Sequence, residues 1–169
     1  MTRNVVTAVD VGERNFAVAS WSPEKGYHDM QVVDLRLVKG DAATKVRQLH
    51  ERGLFDNCTA LLVERQMRSK FKEMAASIRA WHWDKCKLVA PLSVKRVFST
   101  STKKHSSNKK AHVALARRLL VTPAETHQFE SFRKKDDVAD CITMIAWYRI
   151  KHQNETVDNV LHNKHNRHT

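Results

Sequence analysis

The sequence predicts an α/β domain built on a five-stranded mixed sheet, three antiparallel strands and then two parallel ones, flanked by helices. Three observations lead there. Short β-rich runs near the N-terminus are joined by turn residues, which suits an antiparallel meander. Two later apolar runs are each preceded by a helical pattern, as parallel crossovers require. The remaining chain reads as helix, and 169 residues with 41% hydrophobic content make one domain with its own core.

The first strand, residues 5–12, is β-branched and carries a lone acid, Asp10, toward its far end, where Gly12 permits a tight turn. Residues 15–21 form the second strand, Ser22-Pro23-Glu24-Lys25-Gly26 supplies turn chemistry, and residues 30–37 form the third. A helix over 41–52 places Ala42, Val46 and Leu49 on one stripe and stops at Gly53. It leads into a buried strand, residues 59–64, that also ends in one carboxylate, Glu64. A helix over 67–83, a strand over 87–90 and a short helix over 91–98, entered through Pro91, follow.

Residues 99–108 are Ser, Thr, Lys and His without apolar periodicity, and are expected to form a mobile basic loop. Residues 109–121 predict a helix with Val113, Ala116, Leu119 and Leu120 inward, ended by Thr122-Pro123. The last helix is expected to begin at Asp136 as its cap and to run to about residue 151. The domain thus spans 1–152. Residues 153–169 read as a basic, disordered tail in which His162, His165 and His168 are solvated rather than metal-binding.

Thirty Lys and Arg against 18 Asp and Glu give a formal charge of +12, which suits a polyanion. Nucleic acid is favoured over a membrane surface, because no basic amphipathic anchor is evident and no run approaches the roughly 20 apolar residues of a bilayer span. The start, Met1-Thr2-Arg3-Asn4, has no cleaved-signal pattern. Cys58, Cys86 and Cys141 lack metal-ligand spacing and read as buried free thiols in an intracellular, reducing compartment.

On the last helix, Asp137 and Asp140 stand one turn apart, in line with the core residues Met144 and Trp147. At about 4 Å and an effective dielectric of about 20, two like charges repel by roughly 4 kcal/mol, so a close pair implies a raised pKa or a bound cation. The competing reading is an acidic first turn that complements the helix dipole. If Asp10 and Glu64 meet this face, four carboxylates converge. Oxygen-only ligands favour Mg2+ or Mn2+, and two such ions about 4 Å apart suit phosphodiester hydrolysis.

The run Asp10-Val11-Gly12, the run Leu62-Val63-Glu64-Arg65-Gln66 and the helix start Lys135-Asp136-Asp137-Val138-Ala139-Asp140 together resemble RuvC-like Holliday junction resolvases, with the poxvirus-type viral branch nearest. The resemblance covers residues 5–148. It implies a ribonuclease H-like fold, a homodimer, symmetric nicking of four-way DNA junctions with two Mg2+ or Mn2+ ions per site, and, for a viral protein, action where viral DNA replicates. It carries the catalytic metal-binding role to Asp10, Glu64, Asp137 and Asp140. Lys95 and Lys110 match functional lysines of the family, with the adjacent Lys109 leaving that register open and an ordinary solvated charge the alternative for each. Arg68, Lys70, Arg96, Lys103, Lys104, Lys109 and Phe71 complete the expected DNA-binding set.

Two departures from the bacterial pattern stand out: a Lys/Ser-rich loop between Phe98 and Lys109, and an aromatic displaced to Phe71, which stacks on a junction base or else belongs to core or dimer interface. Met74, Ile78, Trp81 and Trp83 are expected on an outer, pairing face of their helix, the alternative being that they all pack inward beneath the meander. The same acids would equally serve a nuclease for RNA-DNA hybrid or structured RNA, and a third reading is a non-catalytic nucleic-acid-binding module.

Overall fold

The structure is a computed structural model that describes residues 4–99 and 105–162, apart from the side chains of Lys70 and residues 105–107. Lys103, Lys104, His165 and His168 therefore lie outside the described residues, as does the Lys70 side chain.

One five-stranded sheet runs through the domain in the order β3-β2-β1-β4-β5. Its strands are β1 (Val6–Val11), β2 (Asn15–Ser22), β3 (Gly26–Asp34), β4 (Ala60–Glu64) and β5 (Cys86–Val89). β1, β2 and β3 are antiparallel in turn, whereas β4 pairs parallel with β1 and β5 parallel with β4. The three-then-two arrangement expected from sequence is present. The third strand begins four residues earlier than expected, because Gly26, at φ +71, closes the turn directly onto it.

Alternation along β1 sends successive side chains to opposite faces. Val6 and Ala8 join Leu62 on one face; Val9 and Val11 join Leu61 and Val63 on the other. The second face is covered by α1 (Ala42–Glu51) and α2 (Ser69–Trp81), through Val46, Leu49, Met74 and Ile78. Met74 and Ile78 are thus core residues and not part of a pairing surface: a helix laid on the sheet turns that stripe inward. Trp81 and Trp83 stay exposed.

The first face is covered by α4 (His105–Leu119) and α6 (Lys135–His152), with α3 (Pro91–Phe98) at the margin and α5 (Pro123–Ser131) beside them. Four differences from expectation have local causes. The fourth helix starts at His105, so residues 105–108 are helical and not a loop. Helix α5 was not anticipated; Thr122 and Glu125 form a reciprocal capping box behind Pro123 at its first turn. Helix α6 is capped by Lys134 without a side-chain bond, and Asp136 lies inside its first turn.

Last, the supposed tail contains a helix, α7 (Val157–His162), whose Val160 is buried against the α4/α6 side. It is tied back by Arg149, which donates to both carboxylate oxygens of Glu155 at 2.8 and 2.6 Å and lies 4.0 Å over the Trp21 ring. Among the described residues no helix is long and apolar enough to cross a membrane.

Candidate active site

Parallel register builds the first half of the site. Val9 pairs with Val63, so the next residues, Asp10 and Glu64, stand side by side at the strand ends. Since Val9 and Val63 face α1 and α2, alternation turns both acids toward α6. Gly12 then reverses the chain: its N–H donates to the Asn15 carbonyl at 2.9 Å, and a Cβ on it would meet that same oxygen at 2.9 Å. The tight turn brings the Asn15 side chain up to donate to Asp137 Oδ2 at 3.0 Å.

Helix α6 supplies the second half. Its inward face, including Val138, Cys141 and Ile142, is buried in the core, which fixes Asp137 and Asp140 at the margin beside the strand acids. All four acids interact. Burial pushes the Asp10 carboxyl well above its usual range, and the charges of Glu64, Asp140 and Asp137 push it further. The Glu64 carboxyl is raised too, first by burial and then by Asp140, against the opposing hydrogen bond from Asp10 and the charge of Lys95. Burial and mutual repulsion thus disfavour a full negative charge on both strand acids, whose side chains are hydrogen-bonded to each other. The neighbouring Cys141 thiol is held neutral by complete burial and by Asp10 and Asp140, so the site offers carboxylate oxygens and no thiolate.

Three basic groups missed as partners in the sequence complete the surroundings. His112, buried on α4, has Nδ1 2.6 Å from Asp140 Oδ1. Lys134 lies 3.7 Å from Asp137. Lys109 donates to Asp136 Oδ2 at 2.5 Å, an arrangement that raises its ammonium and offsets the burial of Asp136 enough to lower that carboxyl. The only sequence hint of His112 is its place on the inward stripe of α4, one turn before Ala116.

The other expected contacts divide. Lys109 is bonded to Asp136 and lies within reach of the charges of Asp137 and Asp140, while Lys110 is exposed one position round the helix. Lys95 is half-buried on α3, near enough to Glu64 to lower its carboxyl, while Arg96 and Arg68 are exposed. Phe71 is partly buried against the α1/α2 core, which favours its packing role over base stacking.

Asp137 is engaged by Asn15, Asp140 by His112, and Asp10 and Glu64 by each other, and among the described residues no group of three or more His, Cys, Asp or Glu side chains stands in an arrangement that could hold a metal ion. The donor chemistry fits a hard divalent cation nonetheless. Four carboxylates stand at one end of the sheet, and the charges of Glu64, Asp140 and Asp137 all act on Asp10, a setting that suits a hard cation.

A profile of the Poxvirus A22 protein family matches residues 4–152. The chain belongs to that family. No curated protein has a significantly matching sequence. Among solved structures, the fowlpox virus Holliday junction resolvase superposes with a TM-score of 0.66 at 15% identity, over 86% of this chain and 97% of that one. The same resolvase with its substrate Holliday junction DNA gives a TM-score of 0.64 at 15% identity, over 87% and 99%. RuvC from T. thermophilus, in complex with a Holliday junction substrate, gives 0.56 at 17% identity, over 87% and 95%. This A22-family chain therefore has the ribonuclease H-like fold of the RuvC-type resolvases.

Proposed function

We propose that the protein is a structure-selective endonuclease that resolves four-way DNA junctions by paired symmetric nicks, leaving 5′-phosphate and 3′-hydroxyl ends. The observation that carries this reading is the register-adjacent pair Asp10 and Glu64, facing Asp137 and Asp140 on a protein of +12 net charge. An acid cluster repels a phosphate backbone unless cations occupy it, so its position on a basic protein argues for metal-assisted cleavage over passive binding.

Asp10, Glu64, Asp137 and Asp140 would hold the metal, as two Mg2+ or Mn2+ ions per site. Bound there, the ions would supply Lewis-acid activation of water and neutralise the developing charge on the leaving oxygen. The chain's own residues do the rest. Asp10 and Glu64 would present adjacent strand-end carboxylates to the ions. Asn15 and His112 hold Asp137 and Asp140 in orientation, and Lys95 and Lys109 stand where cations can meet the scissile phosphate. The working unit is a homodimer, whose two-fold axis matches that of the junction.

The test is cleavage of a four-way junction, a linear duplex and an RNA-DNA hybrid, each with and without Mg2+, by wild type and by Asp137→Asn. Junction-specific, Mg2+-dependent nicking that Asp137→Asn abolishes, with binding retained, is the expected result. Preferential cutting of the hybrid overturns the junction reading in favour of a ribonuclease. Loss of binding together with cutting in Asp137→Asn makes that residue a structural one.

A further inference from the structure

The strand order places the acids between two margins. On the β4/β5 side stand Lys95 and the α4 lysines. On the β2/β3 side, beyond Asp137, the β1–β2 turn and the segment entering α6 enclose an open groove of about 580 Å³. Arg14, Arg36, Arg133 and Lys134 line it, over a floor that includes Val32 and Phe132, with Glu13 and Asp137 as its acids.

These cations are not equivalent. Arg36 is held in a bidentate pair with Asp34, at 2.6 Å in its shortest contact, and Lys134 leans toward Asp137. Arg14 and Arg133 are exposed, and the Arg14 charge acts on Asp34 without the direct contact that Arg36 makes. Their backbones are nevertheless fixed: the Arg14 carbonyl accepts from Leu35 N–H at 2.7 Å, and the chain before Arg133 is anchored where the Phe132 carbonyl accepts from Lys135 Nζ at 3.0 Å. Two exposed guanidinium forks that line one groove, which also reaches Asp137, suit the planar, bidentate recognition of phosphate oxygens.

We propose that this groove carries the phosphodiester backbone of the nucleic acid on the β2/β3 side of the scissile bond, with Arg14 and Arg133 as its phosphate contacts. The strand then crosses the sheet end from the α3/α4 margin, over the acids, into the groove. This rests on the nuclease reading above for the position of the scissile bond, but backbone binding can be measured without cleavage.

Affinity for a duplex arm and for a four-way junction is measured by anisotropy without divalent metal, across a range of salt. Wild type is compared with Arg14→Gln/Arg133→Gln and with a control, Lys25→Gln/Arg52→Gln, which removes two exposed cations beside the pocket at the opposite end of the sheet. The slope of log affinity against log salt is expected to fall by about 1.8 in the groove variant, about 0.9 for each lost contact, and to hold in the control. The single reversal Arg133→Glu should weaken binding further than Arg133→Gln, with melting temperature unchanged. An unchanged slope in the groove variant, or an equal fall in the control, overturns the proposal. Wild type that shows this salt behaviour yet never cuts a junction instead removes the nuclease reading and leaves the groove standing.

Discussion

His112 Nδ1 on α4 and Asp140 Oδ1 on α6 are held 2.6 Å apart, and both side chains are largely enclosed. Two helices that cover one face of the sheet are thereby joined through a carboxylate of the candidate site. His112 is a positioning residue: it fixes which way Asp140 points before any cation arrives.

Replacing His112 with Ala is expected to weaken Mn2+ affinity about 10- to 100-fold, the usual effect of losing a partner that orients a ligand. His112→Gln, which can still donate, should recover much of it. Calorimetric titration of the metal reads this directly, with melting temperature as the control. Equal affinity in wild type and His112→Ala would reduce the contact to helix packing.

Asp10 gives a pH-dependent expectation. Its folded-state carboxyl is raised above its ordinary value of 3.8, so the unfolded chain releases the proton at lower pH than the folded one. Stability is therefore greatest below that ordinary value and is lost as pH rises toward the folded one, and Glu64 acts in the same sense. Without metal, Asp10→Asn should melt higher than wild type at pH 7, by about 2–4 °C for each kcal/mol recovered, with the advantage vanishing near pH 4. Mg2+ should raise the wild-type melting temperature and leave the variant unmoved. A variant that melts lower at pH 7 would mean that the acids are already compensated.

The site was legible in the sequence where local rules reach it. Asp10 and Glu64 each end an apolar run, and Asp137 and Asp140 share a helix face, so pattern alone proposed their convergence. Pairings between distant segments left no such trace: His112 and Asn15 meet their carboxylates only because the helices and the β1–β2 turn fold over the sheet end. Helix α5 was readable, since Thr122-Pro123-Ala124-Glu125 spells a capping box behind a proline. Pro123 hides it, since a proline there reads equally as the stop of α4 and as the first turn of α5. Glu125 also accepts from the Tyr27 N–H at 2.7 Å, a tertiary role that no local pattern encodes.

Helix α7 was hidden for the same reason, and it packs on the domain where a disordered segment was expected. Arg149 retains 2% of its side-chain exposure and Glu155 22%, so the pair is enclosed on the arginine side. Glu155→Ala leaves that guanidinium buried without its partner and is expected to cost about 3 kcal/mol, the low end for such pairs because Glu155 still reaches solvent. Truncation after residue 152 should cost more, since it also uncovers the site of Val160. Urea unfolding measures both. A truncated protein of wild-type stability would return this segment to the status of a tail.

The last expectation concerns the dimer. With Met74 and Ile78 turned into the core, the large exposed apolar side chains on and beside α2 are Trp81 and, more fully exposed, Met67 at 82% and Trp83 at 79%, the last two lining a groove of about 570 Å³ with Ala75, Ala76, Ala80 and Leu88. Large side chains left in water around an apolar groove suit pairing with a second copy, in which Trp83 of one subunit fills the groove of the other. Trp83→Asp should remove a central contact worth about 2 kcal/mol, and so raise the dimer dissociation constant roughly thirtyfold. Because Trp83 packs little within its own subunit, the variant should stay folded and nick a junction without resolving it. Sedimentation at several concentrations reads the association, and a plasmid-borne junction reads the outcome. Mixing wild type with excess Asp10→Asn subunits should leave nicked circles in place of linear product. A Trp83→Asp protein that remains dimeric puts the interface elsewhere. Linear product that falls only in proportion to the active protein would mean that the two cuts are made by independent monomers.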